Sequence, residues 1–455
     1  MTSARKLLAM LPFLVGISYA ASPTPGDLPL PEKLYPALDA ILHAAVQQSP
    51  RMLNQTLDLE IAEADRISAR SGMLPSVGGY LSEQRTREKR ANPPGPDLSL
   101  DTNKTGYNFA ITQPIYYWGQ RKNTARMGEI REKMAHGQYR DGYRLLAQEI
   151  RAQYLQLVVA KLTLVRSRFY RQFTQDQLKI AEEKYTKKII SDAQISDSRL
   201  TTERGDIGLE RAQFEYDNSK QSLARLAGVP VPEDDSIPDQ LPRVAYQDAA
   251  YDQMLAEFLS QKDPPTLSAF TLRKQMELED LNYKIQKTRL RPTFAFSMGD
   301  SQDEQRYTLN TPKFLVNDIY AGITLNWTLF DGFATSAAVR TSLAHRRQLE
   351  NSYKALTEQL AAQAQWQRKM IYFAARGMSI DDRALDAGEG NFRNKQEEFK
   401  RGDISEADLS QIRLELYDIQ TNAYRTRMDV LMKVVEFLGL LSEDPVVANL
   451  SVPAS

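Results

Sequence analysis

The chain has 455 residues, 58 basic and 58 acidic side chains, three histidines and no cysteine. Without cysteine there is no disulfide scaffold, no thiolate metal site, no cysteine nucleophile and no lipid-modified N-terminal cysteine. The balanced charge provides no cationic excess to displace counterions from a nucleic acid, so no nucleic-acid partner is expected.

In chain order, Arg5 and Lys6 precede an apolar run, Leu7 to Ile17, that ends in Ser18-Tyr19-Ala20. This predicts a signal peptide over 1–20, because the run is far short of the ~20 residues a membrane-spanning helix needs. Its removal leaves 56 basic against 58 acidic groups. An N-terminal extended segment follows over 21–35, then a first repeat over 36–228, a linker over 229–246, a second repeat over 247–440 and a C-terminal tail over 441–455.

The division into repeats rests on proline, which costs a helix interior ~3 kcal/mol. Between Pro114 and Pro230 lie 115 residues without proline, and between Pro312 and Pro445 lie 132. Landmarks recur at an offset near 214: Pro50 with Pro264, Leu74-Pro75 with Arg291-Pro292, Trp118-Gly119 with Asp331-Gly332, and Leu226-Ala227-Gly228 with Phe437-Leu438-Gly439. A tandem duplication accounts for them. Each half reads as a moderate helix, two short strands, a very long helix, a tight turn and a second moderate helix. Steps of 3 and 4 in Leu349, Tyr353, Leu356, Leu360 and in Leu409, Ile412, Leu416, Ile419, Ala423 form heptad seams. As one helix, Gln120 to Lys187 is ~100 Å long.

The strands are expected near 76–82, 107–117, 293–298 and 318–330. In the last, Ile319, Ala321, Ile323, Leu325, Trp327 and Leu329 alternate with Tyr320, Gly322, Thr324, Asn326 and Thr328, a period of two over the length of a membrane strand. Ile323, Leu325 and Trp327 are the candidate lipid-facing residues. In 107–117 the alternation has one exception, Gln113. The connections Glu83 to Lys104 and Gly299 to Asn317 carry no apolar pattern and read as long loops. Four strands cannot close a barrel, yet backbone in lipid must be fully paired. Copies must therefore share one, and the arithmetic allows 8 strands from two copies or 12 from three. The competing reading is an exported helical scaffold or adhesin-like coiled coil without a pore.

Taken together, these residues resemble the outer-membrane efflux protein family, the TolC-like ducts. The resemblance is carried by Gln48-Ser49-Pro50-Arg51-Met52 and Asp263-Pro264-Pro265-Thr266-Leu267 entering each unit. Gln113-Pro114-Ile115-Tyr116-Tyr117-Trp118-Gly119 and Asn326-Trp327-Thr328-Leu329-Phe330-Asp331-Gly332 lead into the long helices. Phe399-Lys400-Arg401-Gly402-Asp403-Ile404-Ser405-Glu406-Ala407-Asp408-Leu409 forms the tight turn. The resemblance implies a mainly α protein with a small β part: a homotrimer with a long helical barrel crossing the periplasm and a 12-stranded barrel in outer-membrane lipid. It implies a periplasmic adaptor and an inner-membrane pump of the multidrug or type I secretion kind as partners, with no enzymatic activity and no cofactor.

The same resemblance places the periplasmic aperture and the adaptor docking surface at the helical tips. The candidates there are Lys188, Ser191 and Asp192 in the first half and Arg401, Gly402, Asp403 and Ser405 in the second. Gly402 is suited to a positive φ between helices. Asp408 is the candidate gate residue, since symmetry brings its copies together as a carboxylate ring that attracts cations. A solvated carboxylate at a helix N-terminus accounts for it equally well. Lys188 and Gln194 stand where the second half has Gly402 and Asp408. Elsewhere, His43, His136 and His345 have no second ligand at helical spacing, and no nucleophile, base and oxyanion donor stand together.

Overall fold

The structure, a computed structural model, describes residues 28–90, 95, 98–305, 312 and 314–450. The expected signal peptide, the first seven residues of the expected extended segment and the last five residues of the tail lie outside them. Proline starts the first three helices: α1 (Pro31–Leu34), α2 (Pro36–Gln48) and α3 (Pro50–Ser71) all have it in the first turn, where its missing N–H costs nothing. Strands β1 (Ser76–Arg90) and β2 (Leu98–Tyr116) follow, then α4 (Gln120–Thr186) and α5 (Asp192–Ala227). The second half repeats the order with α6 (Asp248–Ser260), α7 (Leu267–Lys287), β3 (Thr293–Gln305), β4 (Phe314–Asn326), α8 (Ala334–Arg401) and α9 (Glu406–Leu441), and α10 (Pro445–Ala448) ends it.

The two long helices, 67 and 68 residues, are each ~100 Å long. Shorter helices stack end to end along them. Where α5 ends and α3 begins, Ser49 Oγ donates to the Leu226 carbonyl at 2.8 Å. Gly228 sits in the left-handed region at φ 73° with Gln48 O only 2.1 Å from where a Cβ would stand, so only glycine fits this joint. Below the joint α4 packs on α5 and α9, and α8 packs on α9; above it α4 packs on α3 and α7, and α7 on α8.

The core is a waist at the middle of α4, from Tyr139 to Leu164, closed by α1, α2, α6, the linker and the last turns of α9. Leu38, Leu42, Ile150, Leu155, Val158, Val434 and Phe437 are fully buried there. Above and below the waist the helices have only each other to pack on.

The four strands form one antiparallel sheet in the order β1-β2-β3-β4, the hairpins of the two repeats joining through β2 and β3. Pro114 is tolerated in inner strand β2 because the register shifts between it and Tyr116, and a bulge needs no ladder hydrogen bond at that point. All four strands run further from the helices than expected, so Glu83–Lys104 and Gly299–Asn317 are largely strand, not loop. The ladder continues through pairs such as Glu83 with Thr105 and Arg85 with Asn103. Polar residues on both faces erase the apolar alternation while the backbone pairing persists. At the other end β4 stops at Asn326 rather than continuing to 330, so Trp327 lies one residue beyond the strand.

Candidate functional site: membrane face and helical tips

The register sorts side chains into two unlike faces. On one face Val77, Ile111, Met298 and Ala321 share a row; Gln113, Phe296 and Ile323 form a row nearer the helices, then Tyr116, Phe294 and Leu325. On the other face the rows are Ser76, Thr112, Ser297 and Gly322, then Gly78, Ala110, Gly299 and Tyr320, then Tyr80, Asn108, Ser301 and Asp318. The apolar face is open: Val77, Leu81, Phe109, Ile319, Ile323 and Leu325 are all more than half exposed. From Ile319 to Leu325 the face is ~20 Å tall, close to the ~25 Å apolar band of a membrane barrel. Gln113 breaks the pattern because its amide donates to the Met73 and Pro114 carbonyls at 3.0 and 2.9 Å.

At the lower rim of this face two indoles hold one segment. Trp118 Nε1 donates to the Pro292 carbonyl at 2.7 Å and Trp327 Nε1 to the Leu290 carbonyl at 3.0 Å. Rings at such a boundary suit an apolar body and a polar edge to the lipid and water on either side. Both repeats enter their long helix through two consecutive positive-φ residues, Trp118-Gly119 and Gly332-Phe333. The structural counterpart of Trp118-Gly119 is therefore one residue later than the sequence pairing with Asp331-Gly332.

At the far end, the two tips are built alike. In the second, Gly402 N donates to Phe399 O at 3.0 Å and Asp403 N to Glu398 O at 2.9 Å, a Schellman closure with Gly402 at φ 82°. In the first, Lys188 N donates to Tyr185 O and Ile189 N to Lys184 O, both at 2.9 Å, with Lys188 at φ 57°. Ser191 and Ser405 cap the helices that follow, each within a reciprocal capping box. Asp192 accepts from the Tyr185 hydroxyl at 2.7 Å. Arg401 is the last residue of α8. Asp408 accepts from Ser405 Oγ at 2.6 Å and from Ser405 N at 3.1 Å. Those bonds favour its charged form and hold its pKa below the ordinary aspartate range.

No curated protein matches the chain significantly in sequence. Residues 41–229 match the model of the outer membrane efflux protein family. The first repeat is an outer membrane efflux protein domain. The description of that family places its members in the outer membrane. Solved structures share the fold of the chain. The Campylobacter jejuni CmeC outer membrane channel matches with a TM-score of 0.68 at 13% identity, over 89% of this chain and 85% of its own. The outer membrane protein VceC of Vibrio cholerae matches at 0.62 and 12%, over 90% and 97%. The open state of the Neisseria gonorrhoeae MtrE outer membrane channel matches at 0.61 and 14%, over 89% of each. Among the described residues no helix is long and apolar enough to cross a membrane.

Three arginines that no local sequence pattern marks fasten the waist. Arg151 of α4, fully buried, binds Glu32 at 2.6 and 2.9 Å and Asp444 at 2.6 and 3.0 Å. It joins α1 and α10, the two ends of the described chain, to the middle of the long helix. Burial opposes the charge, but Asp444 and Glu32 outweigh it and hold the guanidinium pKa above its ordinary value. Arg368 of α8 binds Asp252 at 2.7 Å and also Asp248, fastening α6. Arg427 of α9 binds Asp382 at 2.8 Å and the linker carbonyl of Leu241. Nearer the tips, Arg166 on α4 pairs with Asp418 on α9 at 2.6 Å, and Arg413 lies between the Phe169 and Phe392 rings, 5.2 Å from each. These contacts help to join the two helical hairpins, as does the Phe169–Tyr417 ring pair.

Proposed function

We propose that three copies of the chain form an exit duct: a 12-stranded barrel in the outer membrane, continued by a helical barrel through the periplasm. A periplasmic adaptor docks at the tips and an inner-membrane pump, of an efflux or type I secretion system, supplies the energy. The observation that carries this is the sheet. Its two faces differ in polarity, and β1 and β4 each have one edge unpaired within the protomer. Backbone groups in lipid have no water to bond to, so those edges must pair with another copy, β1 to β4, and the apolar face must turn outward. The polar face then lines a channel.

At the tips, neutral capping by Gln194 and charged capping by Asp408 give each copy one exposed carboxylate at a matching position, and threefold symmetry gathers these into one ring. Opening is a population shift towards separated tips, driven by an adaptor that binds the open arrangement better. The experiment is a lipid-face charge. Ile323→Lys is expected to abolish heat-stable trimers in the outer-membrane fraction, since a lysine on this face costs ~2–4 kcal/mol per copy near the bilayer centre. Normal trimers and normal conductance in planar bilayers from that variant would overturn the duct. The polar-face control, Thr324→Lys, should assemble and change conductance instead.

A further inference from the structure

The two repeats join their stacked helices differently. In the first, α5 meets α3 through the Ser49–Leu226 bond and through Gly228, which is seated on the Gln48 carbonyl. In the second, α9 runs on past Gly439, the sequence counterpart of Gly228, and ends at Leu441, with Ser442 in the left-handed region at φ 62°. Gly439 is crowded by α4 rather than by the chain that enters α7: a Cβ there would lie 2.6 Å from Gln148 Nε2 and 3.1 Å from Arg144 Nη1. Among the described residues no hydrogen bond or ion pair links α9 to residues 263–273. The second joint is therefore open, as a cavity of about 1150 Å³ walled by α4, α7, α8 and the ends of α9 and α10 of one copy.

Much of its lining is apolar, with Leu267, Phe270, Leu356, Leu360, Leu440 and Val447. The charges on its walls are unevenly matched. Asp141 pairs with Arg144 at 2.7 Å, Glu436 with Lys433 at 3.2 Å and Asp444 with Arg151 at 2.6 Å. Each wall carboxylate thus has its cation, while Lys133 and Arg140 have no ion-pair partner among the described residues. They stand two turns apart on one face of α4, about 10 Å along the helix, with His136 between them. Two further polar atoms of the lining, Gln367 Oε1 and Arg273 Nε, are buried without a hydrogen-bond partner. Buried polar atoms are ordinarily paired, and an apolar hollow with a few convergent polar groups is the form of a small-molecule site.

We infer that this joint binds a small anionic amphiphile, its apolar body against the leucines and Phe270 and its carboxylate, sulfonate or phosphate held by Lys133 and Arg140 beside His136. Charge decides the sign. With every wall carboxylate already neutralised, the two unmatched cations favour an anion over an uncharged molecule of the same shape. The site lies within one copy, so it depends neither on the number of copies nor on what passes through a duct.

The probe is naphthalene sulfonate, added to the full chain in lipid nanodiscs and measured by equilibrium dialysis against empty nanodiscs. Saturable binding of one molecule per chain is expected, with naphthalene methanol, which lacks the charge, binding at least tenfold more weakly. Lys133→Gln with Arg140→Gln should weaken the sulfonate tenfold or more and leave the alcohol unchanged. Both residues are exposed, so the paired variant should fold as the parent does. No saturable binding of the sulfonate, equal binding of the two compounds, or equal affinity in the paired variant would overturn the proposal. The absence of cysteine lets an introduced thiol report the place without background. In Gln363→Cys, on the cavity wall, alkylation by N-ethylmaleimide should slow at least fivefold when the sulfonate is bound, and in Ala193→Cys, at the tip, it should not change. An unchanged rate at position 363 with the probe bound, or equal slowing at both positions, would place the probe elsewhere and sink the site.

Discussion

The waist and the tips of this protein are made of the same two long helices, yet they are held by opposite means. At the waist Arg151 is fully buried and makes four bonds to two carboxylates, and a continuous apolar core surrounds it. At the tips there is no such core: Lys188, Ser191, Arg401, Gly402, Ser405 and Asp408 are all exposed, and each turn rests on its own backbone bonds and a capping box. A rigid collar with soft ends is what the proposed duct needs to stay assembled while one end moves. The local stability of an element follows its buried contacts.

The largest effect should come from breaking the collar. Arg151→Met leaves Glu32 and Asp444 buried without a counter-charge, and removal of one partner from a buried ion group costs ~3–5 kcal/mol. It should appear as a marked fall in the temperature at which trimers lose trypsin resistance. Neutralising the partners in the same chain, with Glu32→Gln and Asp444→Asn, should recover much of the loss. A single variant as stable as the parent would show that the collar is not what holds the waist.

Loss of a tip cap should matter less and stay local. Ser405→Ala or Ser191→Ala removes an N-cap worth ~1 kcal/mol. Hydrogen exchange of the first turn of α9 or α5 should accelerate about fivefold, with protection at Tyr143 and Ile150 unchanged. Acceleration that spreads to the waist would break the contrast between the two regions.

Exchanging the tips sharpens it further. A non-glycine residue in the left-handed region costs ~1 kcal/mol, so Lys188→Gly should steady the first tip by about that amount and Gly402→Lys should loosen the second. Both are measurable by limited proteolysis within the turn. The same sign for both exchanges would show that backbone strain does not separate the tips.

The smallest effect is one of pH. The folded pKa of Asp408 is lowered by its bonds to Ser405, so its contribution is present above the ordinary aspartate value near 4 and is lost as pH falls through the lower folded value. Gln194 does not titrate. Spin labels at Ala407→Cys should therefore gain mobility below pH 4, and labels at Ala193→Cys should not. Asp408→Asn should remove the difference and, where the carboxylates form a ring, also relieve cation block in bilayers.

What could be read beforehand follows the range of the interaction. The absence of proline and the heptad seams set α4 within one residue of Gln120 to Lys187, because helix formation is local. The Ser191 and Gln194 capping box is equally local, a serine and a glutamine three apart. The strand extensions were not legible, for a ladder in water needs no apolar alternation. Arg151 was not legible either: its partners lie 119 and 293 residues away, and nothing near position 151 distinguishes it from the other arginines of a polar helix.

The two unpaired edges of the sheet have a consequence for how the protein reaches its place. A single copy cannot enter lipid ahead of the others, since one open edge would carry a row of bare peptide groups into hydrocarbon. In water the same edge is a template for misassociation. In the proposed duct, insertion and assembly are therefore one event, and its yield should depend steeply on the number of copies present at once. For that duct, scarcity as well as sequence would decide how many copies become a channel.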